Sequence, residues 1–476
     1  MTQNRRVSFK FLSAALALAA SLVWVKPCLS VTTPVGAAGS IQGYVTSSDK
    51  KCAEVPAGSF HSATKEELGS ADSVTITNTK KQEVLGFGAA FTDAACYNLK
   101  DLSADARAKL FNDFFSSSEM GLSVCRICMG SSDYATKAYS YDDGDADPDM
   151  KRFSIAHDKQ YILPMLKEAR KVNPDLYLLA SPWSPPGWMK ANNSMLGGNI
   201  QRKSFEPYAK YFIRFLKSYE EAGVPVQAVS VQNEVDTDQD GRMPACLFPQ
   251  EYEMDFVRQN LGPSIAKEGL KTKIWIIDHN YNLWGRAVDE LEGDDMLKYV
   301  GGVAWHGYVG SPSLMTRVHN AFPNVDMFWT EGGPDYTQAD YGSDWVKWSS
   351  SFSGILNNWC KSIIAWNLAL DEVGKPNIGP FPCGGVVTIN SKSKEITHSG
   401  QYWALKQYSR FIKRGARVIE TEHSVKDFSA LAAENTDGKK VFIATNAGGA
   451  RDINLIYDGK AAKLHLEPNS VSTFVW

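Results

Sequence analysis

The stretch Val229-Ser230-Val231-Gln232-Asn233-Glu234 is a short, mostly β-branched run that closes on an amide and a carboxylate. It reads as a buried strand with its chemistry at the C-terminal end. Seven similar runs flank it, at 86–91, 122–129, 177–181, 274–277, 302–305, 327–329 and 363–366, and with 228–232 they number eight. Between them lie stretches with apolar residues at helical spacing, at 104–115, 161–172, 207–221, 250–260, 313–322 and 345–359. Strand and helix in alternation mark parallel βα units, and eight strands imply an α/β fold, a (β/α)8 TIM barrel. In the third helix, Tyr208, Tyr211, Phe212, Phe215, Leu216 and Tyr219 form a wide stripe that reads as helix-to-barrel packing.

The tail changes period. Short alternating strands at 417–421, 428–433, 440–446, 453–457, 462–466 and 470–476 follow one another without a helix, with Asp437-Gly438 and Asp458-Gly459 as turns. They predict an antiparallel β-sandwich side domain of six strands, to which 73–77 adds one more, so that it is built from both chain ends. The expected division is a signal peptide at 1–30, an N-terminal sandwich segment at 31–85, the barrel at 86–404 and the C-terminal sandwich at 405–476.

Arg5, Arg6 and Lys10 precede an apolar run at 11–25 and then small residues, the pattern of a cleaved leader. It predicts secretion, extracellular or periplasmic, with no integral membrane span after the leader is removed. Losing Cys28 would leave seven of the eight cysteines, so at least one thiol is expected to be free. Cys125 and Cys128 are three apart within one strand and point to opposite faces, which argues against a redox or zinc role. Fifty Lys and Arg against fifty-three Asp and Glu give a net charge of -3, which excludes the basic footprint of a nucleic-acid partner. Aromatic residues make up 11% of the chain; most belong in a core, and those at strand ends suit sugar rings.

Chemistry in a barrel sits where the strands end. The ends carry Asp93, Arg126, Asp133, Trp183, Asn233, Glu234, Asp278, His279, His306, Tyr308, Glu331, Trp366 and Asn367. Glu234 and Glu331 each follow an apolar strand directly, after the fourth and seventh runs, which face each other across a closed barrel's mouth. Two carboxylates about 5–5.5 Å apart serve a retaining glycosidase, one attacking and one protonating. Arg126 would keep the nucleophile ionised, while burial and the second carboxylate would raise the pKa of the acid. The sequence contains no H-E-x-x-H, G-x-S-x-G, Walker A or G-x-G-x-x-G pattern. Asp278, His279 and His306 lack metal-ligand spacing, so neither a metal nor any other cofactor is expected.

In 86–95 (GFGAAFTDAA), 180–190 (ASPWSPPGWMK), 232–234 (QNE) and 366–370 (WNLAL), the chain resembles glycoside hydrolase family 30, in particular its acid β-glucosidase (glucosylceramidase) branch. The resemblance implies a retaining double displacement with Glu234 as acid/base and Glu331 as nucleophile. It implies further that Arg126, Asp133, Trp183, Asn233, His306, Tyr308 and Trp366 shape the glycone pocket, Asn233 bonding the 2-hydroxyl. The implied partner is a β-glucoside, a glycolipid or a β-glucan oligosaccharide. Two departures bear on substrate. Ala365 stands where the animal lipid-hydrolysing enzymes carry Asp, and Met243 and Ala245 stand where they carry aromatic residues, in a loop with Asp236, Asp238 and Asp240. The expectation is therefore a secreted β-glycosidase cleaving a β-glucosidic bond. The alternatives are an endo-β-1,6-glucanase or β-xylosidase of the same family, or a carbohydrate-binding protein that has lost catalysis, against which both carboxylates count.

Overall fold

The computed structural model describes residues 40–476, so the leader at 1–30, with its apolar run and Cys28, lies outside the described residues. Eight parallel strands close a barrel in chain order: β1 (Gly86–Phe91), β2 (Val124–Cys128), β3 (Tyr177–Ser181), β4 (Ala228–Ser230), β5 (Lys273–Asn280), β6 (Val300–His306), β7 (Met327–Glu331) and β8 (Cys360–Asn367). All eight expected strands are present. β4 stops short of the expected 232, because the chain turns away from the ladder before Glu234, which takes a left-handed φ of 53°.

Alternation along the strands sorts the barrel interior into layers. The lower layer is apolar and buried: Val124, Leu179, Ala228, Trp275, Ala304, Phe328 and Ile364, one from each strand but the first. Trp275 and Phe328 stack there with ring centroids 3.7 Å apart. β1 contributes Gly88, where any Cβ would collide with the Val124 carbonyl. Two residues further along the same faces come Arg126, Ser181, Ser230, His306, Thr330 and Trp366. A dry floor thus carries a polar deck, as period 2 requires.

Three strand exits break that period with an extra residue. Ala304 pairs with Ile277 and Trp305 with His279, so Asp278 is the inserted residue in β5. Thr330 is inserted in β7 opposite Trp305 and His306, and Trp366 in β8 opposite Ala89 and Ala90. Such bulges re-aim side chains. In β5 the change of phase, with φ of 73° at Ile277 and 44° at Asp278, puts Ile277 in the outer core and Asp278 on the deck.

The aromatic stripe lies on the helix Phe205–Glu221 and is buried. The helices Trp345–Asn357 and Gly400–Ser409 join the barrel to the second layer. Ser349 bonds Thr445 at 2.6 Å, Trp345 donates to the Asn469 carbonyl at 3.0 Å, and Thr473 donates to Gln407 at 2.6 Å. The helix Gly400–Ser409 runs across the 404/405 division, so the last barrel helix ends at Ser409 and the sandwich resumes at Arg417.

The sandwich contains the six expected C-terminal strands, but the N-terminal segment supplies four rather than one: Ser40–Thr46, Ala53–Ser59, His61–Ser62 and Ser73–Glu83. Ser73–Glu83 lies between Arg417–His423 and Arg451–Tyr457. Ser40–Thr46 pairs with the final strand Ser470–Val475. Alternate residues such as Ile41, Val74, Ile76, Phe442, Leu455, Leu464 and Phe474 form a core separate from that of the barrel. The seven described cysteines are free thiols, Cys125 and Cys128 buried in β2. No helix among the described residues is long and apolar enough to cross a membrane.

Candidate active site

Arg126 organises the deck. Its guanidinium, wholly buried, donates to Glu331 Oε2 at 2.5 Å, to Asp278 Oδ2 at 2.7 Å, to Asn233 Oδ1 at 2.7 Å and to Ser181 Oγ at 3.0 Å. The charge also lies 4.6 Å from the centroid of the Trp183 ring, which stacks on Trp366 at 5.0 Å. Because Asn233 Oδ1 accepts from Arg126, its amide NH2 is left for the cavity.

Asp278 is the counter-charge beneath. It accepts from Ser181 at 2.8 Å, Ser230 at 2.6 Å and Thr330 at 2.6 Å, and meets His306 Nε2 at 3.1 Å. Burial pushes its carboxyl up, but Arg126, His306 and Ser230 outweigh that and hold it far below the usual carboxylate range.

Glu331, at the exit of β7, is held from both sides: Arg126 grips Oε2, and the Tyr308 hydroxyl donates to Oε1 at 3.0 Å. Glu234 faces it from the loop after β4, receiving the Gln239 amide at 2.6 Å on Oε2. The two carboxylates share a neighbour. His306 Nδ1 lies 3.5 Å from Glu234 Oε1 and 3.9 Å from Glu331 Oε1, so those oxygens are separated by at most the sum of the two distances, 7.4 Å. That is compatible with the retaining separation of about 5–5.5 Å between the carboxyl groups.

The expected upward shift of the Glu234 pKa is reversed. Burial does raise it, but His306, His279 and Gln239 outweigh burial and the carboxyl lies below its ordinary value. His306 moves the other way: burial lowers it, while Glu331, Asp278 and Glu234 raise it to about 9. The proton is thus on the imidazole, 3.5 Å from the carboxylate.

This has a consequence for stability. A histidine at about 9 in the folded chain and 6.5 unfolded stabilises fully below pH 6.5 and loses that contribution as pH rises through 9. Buried Lys190, lowered to about 8, acts in the opposite sense above that pH. Denaturant stability should therefore fall by on the order of 1 kcal/mol between pH 6.5 and 8. His306→Gln should flatten the slope; an unchanged slope would remove His306 as its source.

The site opens into a cavity of about 560 Å³ lined by Asp133, Trp183, Asn233, Glu234, Glu331, Tyr308 and Trp366 among others. Arg126 and His306 form its floor from behind. The residues expected as catalytic pair and glycone pocket are therefore in this cavity or, for Arg126 and His306, in contact with its carboxylates. Asp133 lines the wall, its carboxyl raised well above the ordinary value by burial and by the charges of Glu331 and Glu234.

Residues 84–412 match the Glycosyl hydrolase family 30 TIM-barrel domain, and residues 415–474 match the Glycosyl hydrolase family 30 beta sandwich domain. The chain belongs to glycosyl hydrolase family 30. An endo-1,6-beta-D-glucanase of Neurospora crassa is 32% identical over 430 residues, 84% of this chain and 88% of that protein. The lysosomal acid glucosylceramidase of Mus musculus is 28% identical over 428 residues, 85% of this chain and 83% of that one. Among solved structures, an endo-beta1,6-glucanase superposes with a TM-score of 0.83 at 28% identity, covering 92% of this chain and 99% of that one. The family makes this protein a glycoside hydrolase.

Two strand-end residues stand apart from the site of this family 30 chain. Asp93 opens the helix Asp93–Lys100, where Tyr161, Thr136 and His157 surround it, and Asn367 accepts from Thr92 at 2.8 Å. Conversely, Gln239, Phe381 and Cys383 reach the cavity from loops that carry no strand-end signal. Asp278 was legible as a strand-end residue, but its place beneath Arg126 depends on the bulge.

Proposed function

We propose that this family 30 enzyme is a retaining β-glycosidase that cleaves β-1,6-linked glucan, with Glu331 as nucleophile and Glu234 as acid/base. The observation that carries it is the pair of carboxylates meeting at one imidazole, one clamped by an arginine and the other beside a proton-bearing histidine. Glu331 attacks the anomeric carbon while Glu234 protonates the departing glycosidic oxygen. Glu234 then takes a proton from the water that attacks that carbon and releases Glu331. Substrate filling the cavity displaces water, raises the carboxyl pKa of Glu234 and draws onto it the proton that His306 otherwise holds. Asp133 and the Asn233 amide receive sugar hydroxyls, and Trp183 with Trp366 forms the apolar wall.

The glucan is favoured over a glycolipid by the loop after Glu234, which brings Thr237, Gln239 and Met243 to the cavity and no aromatic side chain, and by the likeness to 1,6-glucanases. A leader at 1–30 that directs export fits a polymer too large to enter a cell. One observation favours glucosylceramide as a second reading: Tyr308 and Phe381, 48% and 38% exposed, stand at the rim with exposed Val309 beside Tyr308.

Product analysis on β-1,6-glucan, glucosylceramide, cellobiose and aryl xylosides tests this reading. β-1,6-Linked oligosaccharides, released first as β-anomers, are expected. Cleavage confined to glucosylceramide would transfer the assignment to the second reading, and binding without turnover of any of them would overturn both.

A further inference from the structure

His279 and His306 each have one committed nitrogen and one idle one. His279 Nε2 meets Asp236 at 2.6 Å, and His306 Nε2 meets Asp278 at 3.1 Å. The opposite nitrogens, both Nδ1, are buried and make no hydrogen bond. Both residues are more than nine-tenths buried, and both idle nitrogens lie near the same oxygen, Glu234 Oε1, at 3.7 and 3.5 Å. One ligand atom from each of the three residues falls within a 4.8 Å cluster.

Those distances suit a tetrahedral metal site. Bonds of about 2.0–2.1 Å put neighbouring ligand atoms roughly 3.4 Å apart, close to the two distances above. A carboxylate on the far nitrogen of each imidazole fixes ring orientation and leaves Nδ1 as the donor, the second sphere found around zinc-binding histidines. Two nitrogens and one oxygen select borderline transition ions over Mg2+ or Ca2+, which require oxygen ligands.

We propose that Glu234, His279 and His306 bind one Zn2+-class divalent ion, with the fourth position open to the cavity. The ion is an inhibitor rather than a cofactor. It takes the Nδ1 positions otherwise available to protons and ties up the carboxylate assigned to proton transfer, so hydrolysis stops while it is bound. The ligand set spans the loop after β4 and the exits of β5 and β6. It is distinct from the Asp278, His279 and His306 grouping, because Asp278 faces Arg126 and the far side of His306.

Calorimetric titration of chelator-stripped protein with Zn2+ tests the site independently of turnover. One ion per chain is expected, together with the intense visible absorption of four-coordinate Co2+ when Co2+ replaces Zn2+, and competitive inhibition against an aryl β-glycoside. Asp236→Asn, at a half-exposed position that leaves the fold undisturbed, should weaken Zn2+ binding about 10–100-fold through loss of the outer partner. His279→Gln should weaken it further. Failure to bind Zn2+ below millimolar concentration, or equal binding by wild type and both variants, would overturn the proposal. Equal affinity for Ca2+ would do so as well.

Discussion

Glu331→Ala lowers kcat on an aryl β-glycoside by about 10⁴-fold or more, a barrier increase of roughly 5.5 kcal/mol at 1.36 kcal/mol per decade. The loss is large because no neighbour can substitute for the carboxylate. Both neighbours donate to it: Arg126 carries no nucleophilic atom, and burial and the charge of Glu331 hold the Tyr308 hydroxyl as a neutral phenol, a poor nucleophile. Chemical rescue separates this role from that of Glu234. Azide entering the space left by Glu331 approaches the face the carboxylate used and gives an α-glycosyl azide. In Glu234→Ala the glycosyl-enzyme still forms, and azide attacks it from the opposite face to give the β-product. The Glu234 variant should lose about 10²–10⁴-fold, and least with leaving groups that need no proton. A β-azide from Glu331→Ala would reverse the two assignments, and retention of activity within tenfold would remove Glu331 from the chemistry.

Arg126→Met should cost about 3–5 kcal/mol of stability as well as most of the activity. The guanidinium is fully buried, and its removal strands Asp278, which water cannot reach, and unclamps Glu331 at the cavity wall. His306 still touches Asp278, so the deck keeps one cation. The decisive comparison is a cycle with Asp278→Asn. Once Asp278 is neutral, losing Arg126 should cost markedly less, giving a coupling within the range of about 0.5–3 kcal/mol for contacting residues. Activity should stay low in the double variant, since Glu331 has still lost its clamp. Denaturant midpoints read the first effect and kcat the second; strictly additive midpoints would refute the pairing.

The barrel was legible because each strand is a short apolar run, and burial on both faces leaves no other pattern for such runs to satisfy. Glu234, Glu331 and the strand-end aromatics were legible because costly polar groups at apolar run ends need a reason. The N-terminal sandwich strands were not. Ala53–Ser59 carries Pro56 and Gly58 and lies near the sheet edge, where pairing is inherited from its neighbour rather than announced by its own side chains. Ser40–Thr46 pairs with Ala53–Ser59 on one side and, on the other, with the final strand, more than 400 residues away in sequence. The direction of the Glu234 shift was hidden for a similar reason, since it depends on His279 and His306 arriving from other strands. Gln239, five residues beyond Glu234, folds back onto it only because the loop turns through positive φ at Gln239, Asp240 and Gly241.

The bulges at Asp278, Thr330 and Trp366 give the rim a freedom that the floor lacks. Below them the apolar floor depends on strand phase, and a residue gained or lost within it would turn that strand's apolar face outward. Above them the phase has already slipped, so each exit can gain or lose one residue without re-registering the ladder beneath. Deleting Trp366, for example, would return β8 to even pairing and remove one wall of the cavity, leaving Ile364 and the apolar floor where they are. Such a scaffold can diversify what it recognises by single-codon insertions and deletions at these three exits, within the strands themselves as well as in the loops that follow.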